Sequence, residues 1–176
     1  MNVPDKCVVD TNVPIIANHI IGAVRSDDIP DQCILACIEA IESVIQKKAL
    51  VIDIENEIFD EYKSNLSMSG QPGYGDAFMK WVHYTGPSLP ASQRVAITKI
   101  GDSYKEFPDH PELTNFDLSD RKFVAVANAH PKKPPILEAA DSKWWGWKQP
   151  LEEVGITVWF LCPEYIENKY SKKIGP

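Results

Sequence analysis

The residues in this 176-residue chain with the most to say about chemistry are carboxylates in costly places. In KCVVDTNVPIIAN, residues 6–18, an apolar run stops at Asp10, turns through Thr11 and Asn12, and resumes as a second apolar run. A charge at the end of a buried strand loses its hydration unless something pairs with it, so Asp10 is either a helix cap or half of a site. PPILEAAD, residues 134–141, repeats the arrangement and ends in Asp141. Two other stretches put acids on predicted helices: EIFDEY carries Glu57 and Glu61 one turn apart, and DLSDRKFVAVANAH carries Asp117 and Asp120 near its start. Each has a bland alternative. Asp10 can cap a helix, Asp141 can be a turn residue, and Glu57 and Glu61 can be a solvated face. Asp120 can favour a helix dipole, worth roughly 0.3–1 kcal/mol. Taken together, these alternatives do not explain why two strands end in Asp while helices also supply acids.

Carboxylates brought together repel and raise one another's pKa, and a divalent cation removes that penalty. Oxygen donors without His or Cys select hard ions, Mg2+ or Mn2+, which keep waters and reach out to phosphates. A metal-bound water loses its proton more readily and attacks phosphorus, and a second ion stabilises the leaving oxygen of an in-line displacement. The four histidines are scattered with no HxxxH pair, which argues against zinc.

Acids so far apart in the chain need a scaffold that brings strand ends to one edge. CVVD reads as a short buried strand. Thr11 or Asn12 caps the next helix, with Pro14 in its first turn and Ile15, Ile16, Ile20 and Ile21 as its apolar face. Asp28 reads as the N-cap of a second helix, in which Ile34, Leu35, Ile38, Ile41, Val44 and Ile45 recur at helical spacing up to Lys47 and Lys48. ALVIDI is a second buried strand, and ENEIFDEYKSNL is a helix with Ile58, Tyr62 and Leu66 on one side. A Gly- and Ser-rich loop over 68–76 precedes a short helix over 77–83, RVAITKI reads as an extra strand, and SYKEFPDHPELTNF as a proline-bearing loop. The acidic helix at 117–130 follows, then the PPILEAAD strand, a short helix QPLEEVG, a last strand ITVWFLCP and a partly ordered tail. Short apolar strands alternating with helices predict a parallel sheet covered on both faces, whose sites lie beyond the carboxyl ends of the strands. The expectation is a single α/β domain over residues 1–176 with an inserted loop and helix region at about 68–111.

Hydrophobic residues make up 44% and charged residues 24%, the proportions of an ordinary globular chain. No apolar run approaches the length that spans a bilayer, and the start lacks the basic and small-residue marks of a signal peptide. The cysteines, Cys7, Cys33, Cys37 and Cys162, form no CxxC pair and read as buried thiols in a reducing cytoplasm. The net charge of −7 argues against a general nucleic-acid coat protein. It leaves room for an enzyme whose carboxylates hold cations.

In chain order, VVDTNVPI, EIFDEY, DLSDRKFVAVANAH, ILEAADSKWW and GITVWFLCPEYI resemble the successive motifs of PIN-domain nucleases. The resemblance spans most of the chain and rests on the ordered set rather than on any one motif. It implies a three-layer α/β/α fold around a parallel sheet. It also implies a metal-dependent endonuclease, most often a ribonuclease acting on single strands, with Mg2+ or Mn2+ as cofactor. Position by position, Asp10, Asp120 and Asp141 match the first, third and fourth acids. Glu61 is preferred for the second, and Glu57 is kept as its alternative. Thr11 or Asn12 would orient a metal ligand or a phosphate, and Asp117 would join the site or cap its helix. The family often carries Thr or Ser just before the fourth acid; here Ala140 stands there, with Ser142 after. Lys143 and Lys148 are the expected nucleic-acid contacts, with Trp144, Trp145 and Trp147 among them for stacking. Many small family members resemble toxins silenced by a partner, so an antitoxin-like protein is an implied partner; this chain is longer than those toxins, mainly through residues 68–111, and a stand-alone or defence-associated nuclease is the equal alternative, with a homodimer as a further expected partner. The alternative is a catalytically degenerate PIN-like module that binds RNA or protein. A haloacid-dehalogenase phosphatase would need an acid at position 12, where this chain has Asn. A receiver domain would need an acidic pair near the start, where only Asp5 stands, before the strand.

Overall fold

The computed structural model describes residues 3–23, 28–69 and 73–174. In chain order the elements are β1 (Val8–Val9), α1 (Asn12–Ala17), α2 (Asp31–Lys47), β2 (Ile52–Asp53), α3 (Glu57–Asn65), α4 (Tyr74–Thr85), β3 (Arg94–Val95), β4 (Lys99–Ile100), β5 (Ser103–Tyr104), α5 (Arg121–Ala129), β6 (Ile136–Glu138), α6 (Ser142–Glu153), β7 (Val158–Phe160) and α7 (Pro163–Ile174). Strands β1, β6 and β7 form a parallel sheet in the order β1-β6-β7, with Val8 opposite Ile136 and Leu137 opposite Trp159. β2 and β3 form a separate parallel pair, and a bridge between Cys7 and Leu50 ties that pair's side of the fold to β1. The chain is thus a mixed α/β fold built on a small parallel sheet. Val8, Val9, Ile136 and Leu137 are all fully buried, which is why these strands read as unbroken apolar runs.

Helix α2 supplies much of the core through Ile34, Cys37, Ile38, Ile41 and Val44, spaced to lie on one face. It ends at Lys48, whose left-handed backbone (φ 51°) closes the helix against the Ile45 and Val44 carbonyls. Its start differs from expectation. Pro30 occupies the cap position, and the Asp28 carboxylate instead accepts a hydrogen bond from the Tyr165 hydroxyl (2.7 Å). Residues 25–27 of the expected preceding loop lie outside the described residues. Helix α1 stops at Ala17, so Ile20 and Ile21 fall beyond it and are exposed rather than part of its apolar face.

Other boundaries move for tertiary reasons. Helix α4 begins at Tyr74, inside the expected loop, of which residues 70–72 are outside the described range. RVAITKI divides: its first residues pair with β2, and its last form a hairpin with β5. The strand expected to run to Asp141 ends at Glu138. The helix expected only at QPLEEVG begins at Ser142. Gly146, Pro150 and three tryptophans make SKWWGWKQP a poor helix by propensity. Packing overrides this, because buried Trp144 meets Phe116 edge-on (5.1 Å between ring centres) and Trp145 packs on Phe160. The tail is helix α7, anchored by fully buried Ile166.

The thiol expectation is also corrected. Cys33 on α2 and Cys162, the residue before α7, form a disulfide across a sequence separation of 129 residues. Nothing local to either cysteine announces that pairing. Cys7 and Cys37 remain free and buried, and burial pushes both thiols well above their ordinary pKa. Among the described residues no helix is long and apolar enough to cross a membrane.

Candidate carboxylate site

Asp10 follows β1 directly, and its N–H donates to the Leu137 carbonyl of β6 (3.0 Å). Its side chain is 1% exposed, and one oxygen accepts the N–H of Asn12 (2.8 Å). Thr11, which stands at the cap position of α1, makes no capping bond. Its hydroxyl donates instead to Glu61 on α3 (2.5 Å). Helix α3 is pinned beside Asp10 by Tyr62, whose hydroxyl donates to the Val9 carbonyl (2.5 Å). Glu61 therefore faces Thr11, with Lys122 of α5 ion-paired to its other oxygen. Glu57, one turn earlier, is engaged by Tyr104 (2.7 Å) and Lys99 (3.1 Å) of the β4–β5 hairpin. The Tyr104 hydroxyl, then Lys99, hold its carboxyl below the usual range.

Asp120 precedes α5 without capping it through its side chain. Burial is the largest influence on it, followed by the charges of Asp10, Asp117, Asp141 and Glu61, and together they push its pKa up to about 8. The contacts agree: the Ser119 hydroxyl stands between Asp117 (2.8 Å) and Asp120 (3.2 Å), and Thr11, the residue after Asp10, reaches Glu61 of α3. Asp117 is tied down by Lys143 (2.7 Å) and Ser119 (2.8 Å), and the Lys143 bond holds its pKa low. Asp141 caps α6 by accepting the Lys143 N–H (2.9 Å). Ser142 is fully buried, and its hydroxyl has no partner among the described residues. Of the two expected nucleic-acid lysines, Lys143 borders this cluster, whereas Lys148 stands over the Trp145 ring (5.3 Å). Arg121, an immediate neighbour, is used structurally: it lies over Phe107 and donates to the Phe116 and Thr114 carbonyls.

Two members of the cluster were not singled out from sequence as part of it. Glu138 ends β6 at 0% exposure, and its Oε1 accepts the N–H groups of Ala140 (3.0 Å) and Asp141 (2.7 Å). Its other oxygen has no N–H or O–H donor, and its carboxyl faces that of Asp10 closely enough to hydrogen-bond when one of them holds a proton. Burial, then the Asp10 charge, raises Glu138 well above the usual carboxylate range. Burial raises Asp10 to about 6 against its hydrogen bonds. The sequence signal was available: an acid within the otherwise apolar ILEAA of a doubly buried strand. The second is Lys122, whose ammonium sits between Glu61 and the Ser119 carbonyl.

The donor set fits a hard divalent cation. It is all oxygen, it is held at the cost of raised carboxyl pKa values, and it includes a buried carboxylate oxygen with no donor of its own. Among the described residues no three carboxylates bring one oxygen each within 4.8 Å of one another; the sulfurs of Cys33, Cys37 and Cys162 do, and two of these are already joined in the disulfide. A cation held by these acids would bind through one or two carboxylates at a time and keep several waters, as Mg2+ does.

No protein-family model matches the chain, and neither a curated protein nor a solved structure matches it.

Proposed function

We propose that this chain is a divalent-metal-dependent nuclease of the PIN type, with a three-layer α/β/α arrangement, that hydrolyses phosphodiester bonds in single-stranded RNA. The observation carrying the reading is a set of contacts that draws acids of separate segments together: Thr11, next to Asp10, reaches Glu61, Glu138 faces Asp10 and holds the Asp141 N–H, and the Ser119 hydroxyl stands between Asp117 and Asp120. Asp10, Glu61, Asp120 and Asp141, with Glu138 behind Asp10, would hold Mg2+ or Mn2+. When bound, the cation would supply an activated water and charge neutralisation at the phosphate. The protein's own groups orient and screen. Thr11 fixes Glu61, Asn12 fixes Asp10, and Glu138 holds the Asp141 turn through two backbone N–H groups. Lys122 and Lys143 offer positive charge at the rim for phosphate oxygens once substrate competes with Glu61 and Asp117.

A second reading draws on one specific observation: the Lys122 ammonium already neutralises Glu61. An internal cation of that kind suits a metal-free module that binds RNA or protein without turnover. Incubation of labelled single-stranded RNA and DNA with Mg2+ or Mn2+, and with chelator, separates the two. The nuclease reading expects RNA cleavage that chelator and Asp10→Asn both abolish. Intact substrate with wild-type protein in both metals would leave the binding module.

A further inference from the structure

Beside the carboxylates, α6, α7 and the segment before α5 border an open cavity of about 380 Å³ lined by Asn115, Asp117, Lys143, Gly146, Trp147 and Tyr170. That volume lies in the small-ligand range of roughly 300–1,000 Å³. We propose that it receives the base and ribose of one nucleotide flanking the scissile phosphate of a single strand. The proposal rests on the nuclease reading above and adds to it a recognition site. Position comes first: Asp117 and Lys143 line the cavity, the Ser119 hydroxyl stands between Asp117 (2.8 Å) and Asp120 (3.2 Å), and the Lys143 N–H donates to Asp141 (2.9 Å), so the cavity adjoins the carboxylate cluster. Chemistry comes second. Trp147 and Tyr170 are half-buried aromatic side chains from two helices, and a base has a π-face for either ring. Asn115 brings an amide able to donate and accept at a base edge. Lys143, bonded to Asp117 in the absence of substrate, exchanges that carboxylate for a phosphate oxygen.

Gly146 explains how the walls come together. A Cβ at this position would lie 2.5 Å from the Tyr170 hydroxyl, so only glycine lets the phenol sit against the α6 backbone. The closeness of α6 and α7 sets Tyr170 in the wall of the same cavity as Trp147. A base stacked inside a duplex has no free face to offer, so such a cavity selects single strands.

The test scans a labelled single-stranded RNA with one abasic ribose at each position in turn. Affinity is measured by fluorescence anisotropy with Mg2+ in the Asp10→Asn background, after wild-type cleavage has been mapped on the same RNA. One abasic position adjoining the cleavage site should lose roughly fivefold or more in affinity. Trp147→Ala should erase that difference, and Trp147→Phe should keep most of it. Because Trp147 also packs near Phe116 (5.8 Å between ring centres), Tyr170→Ala is measured in parallel. An RNA that is cleaved yet indifferent to every abasic position would overturn the cavity proposal and leave the nuclease reading standing. So would an abasic penalty unchanged in both Trp147→Ala and Tyr170→Ala. An RNA neither bound nor cleaved would overturn both.

Discussion

Asp10 and Asp53 occupy the same kind of place and come to different ends. Each lies at the carboxyl end of a short buried parallel strand, each is nearly inaccessible, and each precedes a helix. Asp53 is fully consumed as a cap: one oxygen accepts the Glu57 N–H (2.7 Å) and the other the Ile58 N–H (3.0 Å). Asp10 accepts one backbone N–H, from Asn12, and also faces the Glu138 carboxyl. Burial raises both carboxyls, but Asp53 sees Glu55 as its main opposing charge, whereas Asp10 sits among Glu61, Glu138 and Asp120. A strand-ending aspartate is therefore not a site in itself. What distinguishes Asp10 is company that backbone donors leave unsatisfied.

The largest expected effect breaks the comparison at its centre. Asp10→Asn should reduce cleavage by more than about 100-fold, since even groups that only support a metal ligand are worth 10–100-fold. Asp53→Asn should leave the cleavage rate per folded molecule nearly unchanged. Single-turnover assays on the two variants decide this, and equal losses would erase the distinction drawn here. Next in size is Glu138→Gln. The amide oxygen can still accept from Ala140 and Asp141 while its N–H donates to Asp10. Mn2+ affinity, read by calorimetry, should fall roughly tenfold or more, while the chelator-treated protein becomes more heat-stable at pH 8.

The third prediction uses proton linkage. Asp10 and Asp120 are raised to about 6 and about 8, so the folded protein holds protons that the unfolded chain releases. Their contribution is fully present below about pH 4 and is lost as pH rises toward 8. In chelator, Tm should decline across that window. Asp120→Asn should flatten the upper part of the decline, and Mn2+ should raise Tm most at pH 8. Glu57 and Asp117, held low, act in the opposite sense and only at the acid end of the window. A Tm independent of pH between 5 and 8 in chelator would contradict the crowding of these acids. The smallest effect belongs to Asp53→Ala, which removes a cap worth about 0.5–2 kcal/mol. Thermal melts should show a drop of roughly 1–8 °C that Mn2+ at a fixed concentration does not change.

The sequence alone determined the elements whose logic is local. Apolar runs of strand length, helical spacing through Ile34 to Val44, and Asp10 at a strand end were readable, because periodicity and strand ends are properties of neighbouring residues; the helix expected from residue 117 begins only at Arg121 and leaves Asp120 before it. The tertiary structure decided whatever depends on segments meeting. It turned Glu61 toward Thr11 and Glu57 toward Tyr104, a choice set by how α3 is pinned to β1 through Tyr62. It made a helix of SKWWGWKQP through contacts with Phe116 and Phe160, joined Cys33 to Cys162, and set Glu138 against Asp10. A residue's type and spacing say what it can do, but the partner that uses it stands scores of residues away in the chain. Only packing brings the two within the few ångströms over which charge and hydrogen bonding act.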